Sequence, residues 1–84
     1  MTKSDILLGY IKASNYRTNI MKALTEKKVT PIEISKKTGI ALSHVSNTLA
    51  ELLENDLAVC LTPKLKKGRL YDLTSQGKKI VESL

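Results

Sequence analysis

Apolar residues crowd the chain from Asp5 to Ala13, where Ile6, Leu7, Leu8, Tyr10 and Ile11 cover more than one face of a helix. A helix that apolar has to bury a second side, either within the core or against another subunit. Gly9 inside it costs about 1 kcal/mol relative to Ala. From Asn15 to Lys27 the pattern sharpens. Tyr16, Ile20, Met21 and Leu24 share one helical face, while Arg17, Lys22 and Lys27 fall largely outside it. Thr30-Pro31-Ile32-Glu33 predicts a helix start, with Thr30 as cap, Pro31 in the first turn and Glu33 completing a capping box. That helix runs through Thr38 and stops at Gly39, which takes the positive φ of a helix end. From Leu42 to Asn55, Val45, Leu49, Leu52 and Leu53 form an apolar stripe, and Ser43, His44, Ser46, Asn47, Glu51 and Glu54 project elsewhere.

The period then changes from helix to strand. Leu57, Val59 and Leu61 alternate with Ala58, Cys60 and Thr62, the pattern of a half-buried strand. A turn follows at Pro63–Gly68, and Arg69–Leu73 predicts a second strand antiparallel to the first. Thr74 caps a short closing helix, Ser75 to Leu84, with Ile80, Val81 and Leu84 as its apolar residues. The fold class is mainly α with a small β part (α+β): four helices, a two-stranded β-hairpin wing and a short C-terminal helix. The third and fourth helices, joined by Thr38-Gly39-Ile40-Ala41, have the short Gly-containing connection of a helix-turn-helix. No repeat, low-complexity tract or flexible linker interrupts the chain, and residues 1–84 are expected to form one domain.

The runs Thr30–Ile40, Leu42–Leu49, Leu52 and Asn55-Asp56-Leu57 together resemble the winged helix-turn-helix transcription regulators of bacteria and archaea. Arg69, Tyr71, Leu73, Thr74 and Gly77 resemble the second wing strand and following turn of the ArsR and MarR-like groups. The likeness extends from about Tyr16 to Gly77. It implies a DNA-binding regulator, commonly a homodimer built through its first and last helices, with helix 42–55 in the major groove. Three departures stand out. Ser35 occupies a position often filled by Ala. Ala41 stands where a capping Ser or Thr is common, which weakens the start of the fourth helix by about 0.5–2 kcal/mol. Leu42–Asn55 contains no cysteine, so the metal sensing of ArsR proteins is not carried over.

Charge agrees with a polyanionic partner. Fourteen Lys and Arg against eight Asp and Glu give a formal net charge of +6; nucleic acid is the first expectation and an anionic membrane the second. Phe and Trp are absent and Tyr occurs three times, so the core is aliphatic and stacking on single-stranded bases is disfavoured. Cys60 is the one cysteine, which excludes an intramolecular disulfide and a cysteine-rich zinc site and suits a packing role in a reducing cytoplasm. There is no transmembrane run or signal peptide, and the expected location is cytoplasmic. Nothing in the sequence suggests an enzyme: it offers no paired acids, metal cluster or phosphate-binding glycine loop. His44 has no neighbouring acid in sequence, one His and one Cys are too few for a metal, and no cofactor is expected.

A recognition helix needs an apolar anchoring side and short polar residues near its N-terminus that reach base edges. Ser43, His44, Ser46 and Asn47 have that character, although the same residues are ordinary on any solvated helix. Asn47 can pair with adenine, His44 can donate to a phosphate or a guanine acceptor, and the two serines can contact phosphate or base. Lys64, Lys66, Lys67 and Arg69 lie in the hairpin with no anion from Pro63 to Arg69. They suit backbone phosphates, Arg69 alternatively a narrow minor groove. Lys36 and Lys37 are possible further backbone contacts. Tyr71 is expected to be half core and half surface, near the base of the wing. The function expected from these residues is sequence-specific binding of double-stranded DNA by a dimeric transcription regulator. The alternative is a winged helix used for protein contact in a transcription or replication assembly.

Overall fold

A computed structural model describes residues 2–84. Its elements are α1 (Lys3–Lys12), α2 (Asn15–Glu26), α3 (Pro31–Thr38), α4 (Leu42–Glu54), β1 (Ala58–Cys60), β2 (Tyr71–Leu73) and α5 (Ser75–Glu82). Side-chain caps begin four of the five helices. Thr2, Ser14, Thr30 and Thr74 accept from the backbone N–H groups of Asp5, Arg17, Glu33 and Gly77. Thr30 and Glu33 form the expected reciprocal box, Glu33 N–H on Thr30 Oγ1 at 3.3 Å and Thr30 N–H on Glu33 Oε1 at 3.2 Å. Ala41, at the head of α4, makes no side-chain cap.

The core is one aliphatic cluster drawn from all five helices and both strands. Ile11, Ile20, Met21, Leu24, Ile34, Val45, Leu49, Leu52 and Leu57 are its fully enclosed side chains. Full burial of each stabilises the fold by about 1.5–3 kcal/mol relative to exposure. On α4 the inward stripe is Val45, Thr48, Leu49 and Leu52. Thr48 replaces the expected Leu53, which turns outward. On α1, Leu7 and Ile11 face the core, Leu8 and Tyr10 pack partly against it, and Ile6 is 58% exposed.

The expected strand from Leu57 is shorter and has the opposite phase. Helix α4 ends in a Schellman motif: Asp56 takes φ 58°, its N–H bonds Leu53 O, and Leu57 N–H bonds Leu52 O at 2.9 Å. Leu57 is therefore buried against Leu52 as part of the helix cap, not as a strand residue. β1 begins one residue later, so Ala58 and Cys60 turn inward while Val59 and Leu61 are exposed.

β1 and β2 pair antiparallel, Ala58 opposite Leu73 and Cys60 opposite Tyr71. Leu61 N–H on Leu70 O extends the hairpin to 2.8 Å pairing just beyond the strands. A third segment joins at one point. Val29 and Tyr71 exchange both backbone hydrogen bonds, at 3.2 and 2.9 Å, so the α2–α3 connection lies against the root of the wing. Tyr71 is consequently buried, not divided between core and surface. α5 closes the fold against α4's exit: Thr74 N–H bonds Leu57 O at 3.1 Å and Thr74 Oγ1 bonds Asp56 O at 2.6 Å. Among the described residues no helix is long and apolar enough to cross a membrane.

Candidate nucleic-acid interface

The turn between α3 and α4 sets the position of α4. Gly39 takes φ 75°, a conformation that L side chains rarely adopt, and its N–H closes α3 on Ser35 O at 2.9 Å. Two hydroxyls bind the turn to α3. Ser35 Oγ donates to Ile40 O at 2.6 Å, and Thr38 Oγ1 donates to Ile34 O at 2.7 Å while accepting from Ile40 N–H at 3.2 Å. Ser35, the departure from Ala, thus supplies a hydrogen bond that Ala lacks. Ile40 is buried beside it.

With α4 held there, Ser43, His44, Ser46 and Asn47 are all exposed. They divide among three sides of the helix, because each residue advances about 100° around its axis. Ser43 and Asn47, one turn apart, share the outermost face with Glu54 beyond them. Ser46 turns toward the wing. His44 lies on the opposite flank, about 200° from Ser46.

Ser46 lines an open cleft of about 650 Å³ between α4, the head of α3 and the hairpin loop. Lys66, Lys67 and Arg69 form its basic rim, and Ile32 and Leu42, 52% and 45% exposed, contribute apolar walls with Leu53 and Ala50. Three of the four wing cations therefore border the same cleft as α4. Lys64 is exposed in the same loop but does not line that cleft. The loop is folded on itself: Leu65 N–H bonds Thr62 O at 3.1 Å, Leu70 N–H bonds Thr62 Oγ1 at 3.0 Å, and Arg69 Nε donates to Leu65 O.

Lys36 and Lys37 lie elsewhere. They border a separate mixed-charge hollow with Glu26, Lys27 and Glu33, and Lys37 is paired with Glu26 on α2. That ion pair engages the Lys37 ammonium assigned from sequence to a phosphate. Glu33, in the same hollow, is held below the usual carboxylate range by the Thr30 backbone and hydroxyl donors.

The His44 flank is occupied by the first turn of α2. Tyr16, expected in the core stripe, is 43% exposed instead, its ring centroid 5.1 Å from that of His44 and tilted by 46°. Next to it Arg17 grips Glu51 of α4 through Nη2 at 2.9 Å and Nε at 3.2 Å, and donates Nη1 to Tyr10 O at 3.0 Å. The guanidinium also stacks 3.7 Å over the Tyr10 ring, whose hydroxyl donates to Glu51. The Tyr10 hydroxyl, followed by Arg17, holds the Glu51 carboxyl below its ordinary range. Burial, and then the bond to Glu51, raises the Tyr10 phenol. This cluster connects α1, α2 and α4, and it pairs an acid of α4 with a cation. Tyr16 and Glu51 carry no signal in the linear sequence that foretells either contact. Among the described residues no group of three or more His, Cys, Asp or Glu is placed to hold a metal ion.

No protein-family model and no curated protein sequence matches the chain. Solved structures do. The reduced form of MarR from E. coli superposes with a TM-score of 0.75 at 23% identity, covering 96% of this chain and 63% of that one. The oxidized form gives 0.72 at 21% identity over 96% and 61%. The chain thus spans about three fifths of the length of the MarR chains it matches. Five helices in this order, a two-stranded antiparallel wing and near-complete superposition give one conclusion: the chain has the winged-helix fold of MarR.

Proposed function

We propose that this chain is a sequence-specific, double-stranded DNA-binding transcription regulator, a single winged-helix domain and not an enzyme, acting in the cytoplasm. The observation that carries the reading is the shared cleft: Ser46 of α4 and Lys66, Lys67 and Arg69 of the wing border one open space. A duplex with its major groove over Ser43, Ser46 and Asn47 brings the flanking phosphates to those cations. The net charge of +6 supports the same partner. Pairing of Glu51 with Arg17 removes one repulsive charge from α4. Glu54 further along is exposed, so the helix enters by its N-terminal half. A homodimer through the first and last helices fits the packing of α1 against α5 and the outward Ile6. Such a dimer binds half-sites about 34–36 Å apart, or a multiple of that, and regulates by occupying promoter DNA.

Selection of preferred sites from random duplexes, followed by binding across a salt series, tests this. Lys66→Ala with Lys67→Ala weakens binding to every sequence and makes the salt slope shallower by about 2. Asn47→Ala relaxes preference at particular base pairs by about 1–3 kcal/mol. Equal losses on cognate and scrambled DNA for Asn47→Ala contradict its role. The apolar cleft walls, Ile32, Leu42 and Leu53, favour a second reading in which the wing meets an acidic protein. Micromolar or weaker binding to every duplex selects that reading.

A further inference from the structure

A recognition helix in a major groove lies between two walls of phosphate, one from each strand. The wing sits on one flank of α4 only. On the other flank stand His44 and the first turn of α2, and there Tyr16 leaves the core to lie against the imidazole at 5.1 Å. The three tyrosines differ in a telling way. Tyr10 gives its hydroxyl to Glu51, and Tyr71 is buried in the wing root. Tyr16 is 43% exposed, and among the described residues its hydroxyl has no hydrogen-bond partner. Its position is fixed from behind: Ser14 caps the helix it starts, and Arg17, the next residue, is clamped to Glu51 of α4. Aromatic pairs of this geometry restrict the partner ring, and a phenol hydroxyl is a neutral donor suited to a phosphate oxygen.

We infer that Tyr16 belongs to the DNA interface, its ring positioning the His44 imidazole and its hydroxyl donating to a phosphate of the strand opposite the wing. The inference rests on the DNA-binding reading above. It divides the work across α4: the wing's cations attract one strand, and the Tyr16–His44 pair contacts the other.

The test uses the full chain and a duplex selected by the wild type. Tyr16→Phe keeps the ring and loses the donor, so affinity falls about three- to tenfold on every sequence. Its salt slope stays that of the wild type, because no counterion-releasing charge is lost. Tyr16→Ala loses more, about tenfold or beyond, and relaxes preference at whichever base pair His44→Ala also relaxes. In a His44→Ala background the Tyr16→Ala loss shrinks to that of Tyr16→Phe, since only the hydroxyl is left to lose. His44 ring-proton shifts in free protein, moved by Tyr16→Ala and kept by Tyr16→Phe, report the stack without DNA. Wild-type binding with Tyr16 variants unaffected, or equal Tyr16→Ala losses in both backgrounds, overturns this inference alone. A wild type that binds no duplex overturns the DNA-binding reading, and this inference with it.

Discussion

Gly77→Ala opposes two physical effects on one residue. Gly77 is the third residue of α5, and helix propensity alone makes Ala there more stable by up to about 1 kcal/mol. The packing reverses that sign. A methyl group at Gly77 meets the backbone carbonyl oxygen of Leu57, lies 3.1 Å from its carbonyl carbon, and is 3.2 Å from Leu73 Cδ2. The carbonyl cannot swing aside, because the Schellman motif fixes Leu57 and Thr74 N–H is bonded to that same oxygen. α5 must therefore lift, at the cost of overpacking strain of about 1–3 kcal/mol. The Thr74 bonds to Leu57 O and Asp56 O loosen as it does, adding about 0.5–1.5 kcal/mol each. After the propensity gain is deducted, a net loss centred on about 3 kcal/mol is expected, within a range of about 1–5 kcal/mol. In a domain of this size it lowers Tm by roughly 10–20 °C. Urea and thermal unfolding followed by far-UV circular dichroism measure it. A Tm equal to or above the wild type refutes the close approach of α5 to Leu57.

Three further outcomes are expected. Glu51→Gln lowers stability by about 1–2 kcal/mol at pH 7, the bonds being charge-assisted but partly open to solvent. Because the Glu51 carboxyl sits below its unfolded value, its contribution is complete above the ordinary carboxylate range and disappears as pH falls through the folded value, so urea midpoints from pH 7 to pH 3 decline less steeply for Glu51→Gln. Asp56→Val, although exposed, costs about 1–2 kcal/mol because φ 58° suits Asp far better than a β-branched residue; a change under 0.5 kcal/mol in equilibrium unfolding contradicts the left-handed helix end. Ala41→Ser supplies the absent cap of α4 and raises stability by about 1 kcal/mol, detectable as a higher urea midpoint at constant m-value.

Local chemistry made much of the fold legible. Thr30 and Glu33 announce α3, Gly39 ends it, and the Val45–Leu49–Leu52 stripe marks the inward side of α4. Periodicity misled where it met an end. Tyr16 has the spacing of a core residue, but it lies in the first turn of α2 and reaches the flank of α4 instead. Leu57 has the spacing of a strand residue, yet a helix cap claims it and shifts the following strand by one. Val29 pairs with Tyr71 at a single position, too short for any period to reveal. The cations divide in the same way. Composition could not separate Lys66 and Lys67, beside the cleft, from Lys37, whose partner Glu26 belongs to another helix.

The paired backbone bonds of Val29 and Tyr71 have a mechanical consequence. They rivet the hairpin to the strut between α2 and α3, so its base cannot pivot while the helix-turn-helix stays still. The wing root and the α2–α3 connection are thereby coupled, so a displacement of one carries the other with it.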